Sequence, residues 1–273
     1  MKLSDEQVRR YREDGFLLVS DVFAASEIAA LRAAIPAVFA EESPARVTEA
    51  RSATVRSVYG SHRTNASFRR LSEDARLVEP AMQVLDSDVY VYQFKANAKA
   101  AFAGDVWEWH QDYIFWRDED GMPAPRVTNV ALFVDEVNEF NGPVFFMPGS
   151  HREGVIEMTP GAPSSAPETG EPSWMSNVSA KLNYALDRRT LALLCKRYGL
   201  ASPKGPSGSV LLFDANVVHG SSNNISPFDR VLIIATYNSV HNVPGVGRSR
   251  RPEFLVSRDV QPVHPVDPAE VVY

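Results

Sequence analysis

The chain has 273 residues, with 28 Lys and Arg against 34 Asp and Glu, a formal net charge of −6, and 44% hydrophobic and 23% charged residues. That is ordinary globular composition with length for a large core, and the acidic balance excludes a general affinity for nucleic acid. No run of 18 apolar residues is present, so no membrane-spanning helix is expected, and the single cysteine, Cys195, excludes a disulfide framework and fits a reducing, cytoplasmic setting.

The opening Met1-Lys-Leu-Ser-Asp-Glu lacks an apolar signal region. Ser4 ahead of Asp5-Glu6-Gln7 predicts a capped helix ending before Gly15, followed by a strand over Phe16–Val19. Ser26 and Glu27 open a second helix to about Glu41, with Ile28, Leu31, Ile35 and Phe39 on its apolar face. Residues 43–67 read as polar and irregular. Helices are expected over Ser67–Leu77 and Pro80–Leu85. From Val89 the texture turns to β: Val89–Phe94, Val127–Val134, Gly142–Met147, Gly208–Phe213 and Arg230–Tyr237 are β-rich runs punctuated by Gly, Pro and Asn. Leading helices before many short strands point to a β-sandwich or barrel with helical cover. The proline-rich stretch 159–174 reads as a loop and a candidate lid. A helix is expected over Tyr184–Tyr198, with Cys195 packing in the apolar run Leu191–Cys195, and a proline-rich tail after Asn242. One domain over 1–273 is expected, with a helical cover at about 1–88, a β core at about 89–240 and a tail over 241–273. The basic cluster Arg248, Arg250 and Arg251 reads as a solvated turn.

The chemistry concentrates in three residues. His110 and Asp112 stand two apart in Trp-His-Gln-Asp-Tyr, and His219 follows 109 residues later. An H-x-D pair with a distant His is the ligand set of a 2-His-1-carboxylate facial triad, which binds Fe(II) and leaves one face open for O2 chemistry. If His110 and Asp112 lie on a strand, both point to one face. Arg230, eleven residues after His219, matches a bidentate grip on a carboxylate, and a 2-oxo dicarboxylate held by metal and arginine fits 2-oxoglutarate. Ser221 adds a hydroxyl donor.

These residues sit within longer shared stretches: Tyr92-Gln-Phe-Lys-Ala-Asn-Ala-Lys99, Trp107-Glu-Trp-His-Gln-Asp112, Trp116-Arg-Asp-Glu-Asp-Gly-Met-Pro123, Glu139–Pro143, Pro148–His151, His219–Pro227 and Tyr237–Val240. Through them the chain resembles the phytanoyl-CoA dioxygenase superfamily of Fe(II)/2-oxoglutarate oxygenases, and within it the ectoine hydroxylases and a free-leucine 5-hydroxylase. The resemblance implies a mainly β fold with flanking helices, a double-stranded β-helix or cupin-like jelly roll, with iron at His110, Asp112 and His219. It implies 2-oxoglutarate at Arg230 with Ser221 and Lys99 as helpers. It also implies substrate contacts at Gln93 and Trp116, with Asn97 beside them. His151 is expected to be architectural. Tyr113-Ile-Phe115 and Val127-Thr-Asn-Val130 depart from the ectoine pattern and add apolar bulk near the triad. If the strand runs on past Asp112, Ile114 and Trp116 share its inward face.

The expected activity is hydroxylation of an unactivated C–H bond of a free aliphatic, leucine-like L-amino acid or close derivative in specialised metabolism. Fe(II), 2-oxoglutarate and O2 are the cofactor and co-substrates. The partner is a small molecule, with no nucleic acid and no membrane. Ectoine-type hydroxylation and a non-catalytic small-molecule-binding member are the alternatives. Halogenation is disfavoured because Asp112 fills the site chloride would need. Gln93, Asn97, Arg117 and Arg126 are candidates to clamp the charged ends of an amino acid, since unpaired buried charge is costly.

Overall fold

The computed structural model describes residues 1–50, 52–157, 174, 178, 182, 184–248, 250–271 and 273. Apart from Trp174, the candidate lid at 159–174 lies outside the described residues.

Local chemistry sets the helical cover. Helix α1 (Asp5–Asp14) starts in a reciprocal cap: Gln7 N donates to Ser4 Oγ and Ser4 N to Gln7 Oε1. It ends at Gly15, whose φ of 81° suits glycine and whose missing Cβ leaves room for the His151 ring, where an added Cβ would stand 2.5 Å from Nδ1. His151 is thus architectural, as expected. Strand β1 (Phe16–Val19) follows, then α2 (Ala25–Ala40), whose first turn is tied by Ala24 N donating to Glu27.

Two expectations fail in the next stretch. Residues 43–67 are not irregular; they contain strands β2 (Arg46–Thr48), which reads as polar because it is the edge of a sheet, and β3 (Val55–Tyr59), one strand in, which carries the buried polar residues Arg56 and Ser57. The helix expected over Ser67–Leu77 breaks at Asp74, giving α3 (Ala66–Glu73) and α4 (Ala75–Leu85, with Pro80 inside it). Asp74 leaves helical backbone geometry to cap α4, accepting from Arg76 N at 2.7 Å.

The core strands are β4 (Val89–Lys99), β5 (Trp107–His110), β6 (Val127–Phe133), β7 (Val144–Phe146), β8 (Val210–Asp214), β9 (His219–Ser221) and β10 (Arg230–Ser239). They build a seven-stranded sheet ordered β1-β8-β6-β10-β4-β3-β2 and a three-stranded sheet ordered β5-β9-β7, antiparallel throughout. The expected jelly roll is the fold.

Period-two alternation divides the large sheet. Val231, Ile233 and Ala235 of β10, with Ala96, Ala98, Val130 and Leu132, pack outward against α1–α4. Arg230, Leu232 and Ile234 face the small sheet, level with Lys99, Asn97 and Lys95 across the β10–β4 ladder. A bulge at Thr236/Tyr237 leaves Tyr92 without a ladder partner. The slip brings Tyr90 and Tyr92 into a second apolar cluster with Tyr113, Phe115 and Trp116.

Two further elements depart from expectation. Strand β5 stops at His110 and helix α5 (Asp112–Asp120) begins immediately after the capping residue Gln111. Helix α6 spans Arg188–Tyr198, not Tyr184–Tyr198, and carries no buried residue, so Cys195 lies on a half-exposed surface rather than in a core. No helix among the described residues is long and apolar enough to cross a membrane.

Candidate active site

The small sheet and the start of α5 bring the three expected ligands together. His110 ends β5 and His219 opens β9, directly opposite each other in the ladder. Asp112 reaches the same point from the first turn of α5, not from a continued strand. Ending the strand at His110 and starting a helix delivers the carboxylate to the imidazoles and places it where the positive helix end favours an anion. His110 Nε2 lies 3.5 Å from Asp112 Oδ1, His219 Nε2 lies 3.8 Å from Asp112 Oδ2, and the ring centroids are 4.3 Å apart. One ligand atom from each falls within 4.8 Å of the others.

Backbone contacts fix how these side chains present themselves. Nδ1 of His110 meets Glu108 O at 2.6 Å and Nδ1 of His219 meets Val217 O at 3.0 Å. With Nδ1 protonated and donating, both Nε2 atoms are free lone pairs aimed at the shared point. Burial, then His110, pushes His219 down to about 4. Burial would raise the Asp112 carboxyl, but His219, the His110 hydrogen bond and Lys95 outweigh it and hold it well below the usual carboxylate range. Neutral imidazoles and an ionised carboxylate are the states that ligate a divalent cation. Three such ligands on one side leave the facing positions open, which fits Fe(II).

The triad lies in a cavity of roughly 820 Å³, counting its open mouth. At one end are Arg230, Ser221, Asn97, Trp107 and Val144. Arg230 is 1% exposed, makes no ion pair among the described residues, and donates only to Gly142 O, at 2.6 Å. Burial, then Arg56, pushes it down to about 9. Ser221 Oγ, Asn97 Oδ1, Trp107 Nε1 and Arg230 Nε are all buried without a hydrogen-bond partner among the described residues. Buried polar atoms are normally paired, so three unpaired donors at one place, Ser221 Oγ, Trp107 Nε1 and Arg230 Nε, mark a site built for a polyoxygen anion. The donor set fits 2-oxoglutarate.

The other end is apolar with charged corners. Phe115, Trp116, Phe213, Leu232 and Ile234 line it, with Tyr59, Gln93, Lys95 and Arg251. Trp116 packs edge-on against Tyr92 at 5.5 Å. Gln93 Nε2 donates to Leu255 O at 2.9 Å, which leaves Oε1 as an acceptor.

Of the expected site residues, His110, Asp112, His219, Arg230, Ser221, Gln93, Asn97 and Trp116 all line this cavity. Lys99 does not. It sits behind Gly142 with Nζ donating to Asp105 O, one register pair from the cavity wall. Because α5 is helical, the wall is Phe115 and Trp116, and Ile114 packs away. Arg117 pairs with Asp118 and Glu157 and Arg126 is exposed, so neither clamps anything in the cavity. Lys95 and Arg251 are there instead. Alternation from Gln93 to Asn97 already places Lys95 on their face. Arg251 carries no such signal. It is not part of a solvated turn but 4% exposed, forked onto Asp120 at 2.8 and 2.5 Å, and Tyr92 shares that carboxylate.

Comparison with known proteins agrees with this geometry. Residues 11–232 match the phytanoyl-CoA dioxygenase (PhyH) family. The chain is 40% identical to the L-proline trans-4-hydroxylase of Streptomyces griseoviridis, over 97% of this chain and 96% of that protein. It is 36% identical to an ectoine dioxygenase of Bordetella bronchiseptica, over 99% and 88%. Among solved structures, EctD from S. alaskensis with 2-oxoglutarate and 5-hydroxyectoine superposes with a TM-score of 0.82 at 31% identity, covering 97% of this chain and 88% of that one.

Proposed function

Because the chain belongs to the phytanoyl-CoA dioxygenase family, we propose that this Fe(II)/2-oxoglutarate-dependent dioxygenase hydroxylates an aliphatic carbon of a free L-amino acid of leucine or proline size. The observation that carries this is the division of one cavity into an anion-hungry end at Arg230 and an apolar end with charged corners, the triad lying between them. His110, Asp112 and His219 hold Fe(II), which when bound supplies the O2 activation that couples decarboxylation of 2-oxoglutarate to C–H hydroxylation, releasing succinate and CO2.

The protein's own part is binding, orientation and exclusion of water. Arg230 grips the far carboxylate of 2-oxoglutarate, with Ser221 and Asn97 adding polar contacts; Lys99 helps from behind by packing against Gly142, whose carbonyl holds Arg230. Trp116 and Phe115 hold the aliphatic side chain over the metal face. Lys95 and Arg251 are the cations available to a substrate carboxylate, and Gln93 Oε1 is an acceptor for its ammonium. Arg251 keeps its orientation through Asp120, so its position is set before the substrate arrives. The relative that acts on L-proline and the ectoine dioxygenases support a small substrate carrying a carboxylate.

A screen of the twenty amino acids and ectoine with Fe(II), 2-oxoglutarate and O2, read by mass for one added oxygen and by succinate release, tests the proposal. At least one aliphatic L-amino acid should turn over. Selection among Leu, Ile, Val and Pro should be graded, since a methylene in an apolar pocket is worth roughly 1–3 kcal/mol. Loss of the α-carboxylate should hurt far more, because it removes the anion that Lys95 and Arg251 would hold and leaves polar groups of the pocket unpaired. Efficient ectoine hydroxylation with no amino acid accepted would select the ectoine-type alternative, and no succinate with any substrate would select the non-catalytic one.

A further inference from the structure

Trp107 stands where composition alone suggests only packing. Its parity with His110 is wrong for a shared face: residues three apart in a regular strand point to opposite sides. A bulge corrects this. Trp107 pairs with Ser221 and His110 with His219, so three steps along β5 span two along β9. The extra residue turns the Trp107 side chain to the same side as His110 and sets it directly across the ladder from Ser221. Val144 is the partner of Ser221 on the other flank, and Gly142, two residues before it, accepts from Arg230. Trp107, Ser221 and Arg230 therefore converge on one end of the cavity.

Two features show that the indole is held there for its N–H. Its Nε1 is buried and has no hydrogen-bond partner among the described residues, and an indole nitrogen is a donor only. The Arg56 guanidinium lies 3.8 Å from the ring centroid. Arg56 is itself 1% exposed and locked by Glu49 at 2.9 Å and by Val106 O at 2.7 Å. A cation fixed on the ring face draws π density away from nitrogen and makes the N–H a stronger donor. The same stack prevents the ring from rotating to find another partner.

We infer that Trp107 is a co-substrate-positioning residue: its indole N–H donates to the distal carboxylate of 2-oxoglutarate, beside Arg230 and Ser221, with Arg56 clamping the ring. This rests on the 2-oxoglutarate reading above. It accounts for one of the four orphaned polar atoms in the cavity and for the β5 bulge, which a packing role does not need.

Calorimetric titration of the anaerobic Fe(II) protein with 2-oxoglutarate tests it. Trp107→Phe keeps the ring and removes the donor. Its Kd for 2-oxoglutarate should rise about ten-fold, in line with loss of one hydrogen bond to a charged group. Binding of 2-oxobutanoate, which lacks the second carboxylate, should match wild type. An unchanged 2-oxoglutarate Kd, or equal weakening for both ligands, overturns the inference while leaving the co-substrate reading intact. Wild type that binds no 2-oxoglutarate sinks both. A second readout is the indole ¹H–¹⁵N resonance of Trp107 in zinc-substituted protein, assigned by its loss in Trp107→Phe. It should move downfield on adding 2-oxoglutarate and stay put with 2-oxobutanoate; a resonance indifferent to 2-oxoglutarate refutes the hydrogen bond whatever the Kd does.

Discussion

Asn129 donates from Nδ2 to Asp112 Oδ2 at 2.7 Å, while its own Oδ1 accepts from Thr236 Oγ1 at 2.7 Å. The chain of three runs from β10 through β6 to the metal ligand, so the most central strands of the large sheet orient a carboxylate that belongs to α5. The arrangement holds one Asp112 oxygen and leaves Oδ1 free.

Asn129→Leu should therefore weaken divalent metal binding about 10–100-fold without unfolding the protein, as loss of outer contacts to metal ligands does. Asn129→Asp should disturb the site in a different way, because two carboxyls at hydrogen-bonding distance cannot both ionise readily. Fe(II) or Co(II) titration of the two variants checks this. An affinity equal to wild type in Asn129→Leu would show that Asp112 needs no such support.

His110→Ala, Asp112→Ala and His219→Ala should each abolish turnover and leave the circular dichroism spectrum unchanged. Each removes one of three ligands from an open site, and the ligands meet at one point from two segments of the chain, the β5–α5 junction and the start of β9. Near-normal turnover in any one removes that residue from the ligand set.

Arg230 should show opposite effects on binding and on stability. Arg230→Ala should raise the 2-oxoglutarate KM far more than the prime-substrate KM, by the order of 3–5 kcal/mol for breaking a buried charge pair. Arg230→Lys should rescue it only in part, since a point charge cannot form the fork. Without 2-oxoglutarate the guanidinium is a buried cation with no ion pair among the described residues. Arg230→Met should then unfold no earlier than wild type in the absence of co-substrate, and gain nothing when it is added, whereas wild type is stabilised by binding. Thermal melts with and without 2-oxoglutarate decide the point.

Lys99 predicts a pH signature. Burial, then Arg230 and Arg56, push its ammonium from 10.5 down to about 6, and Glu49 and Asp105 offset this only in part. Between those values the unfolded chain binds a proton that the folded chain does not, so stability rises with pH. The contribution is complete above 10.5 and is lost as pH falls toward 6. In urea unfolding without 2-oxoglutarate, Lys99→Met should flatten the rise in midpoint between pH 6 and pH 9. An equal slope in both proteins would mean that Lys99 keeps its proton in the fold.

The chemistry of the centre was legible in the chain itself. His110, Asp112, His219 and Arg230 announce themselves because few ligand sets serve an open iron site, and donor type can be read without coordinates. The strands Val89–Lys99, Val127–Phe133 and Arg230–Ser239 were legible because β-branched and aromatic runs between Gly, Pro and Asn have few other uses. Gln93 and Asn97 came from the family resemblance, and alternation along the first of these strands sets Lys95 on the same face.

Tertiary structure decided what local pattern cannot encode. The switch from strand to helix at Asp112 exchanged Ile114 for Phe115 in the wall. Bulges at Thr236/Tyr237 and in β5 each shift the phase of a strand, and a bulge is set by the partner strand rather than by its own residues. Arg251 reads as one of three arginines in a polar tail; only its meeting with Asp120, 131 residues away, makes it a buried pocket residue. Burial of a charge depends on who faces it across the fold. The long-range pairings that place residue against residue, not composition or spacing, determine which cations are solvated and which line the site.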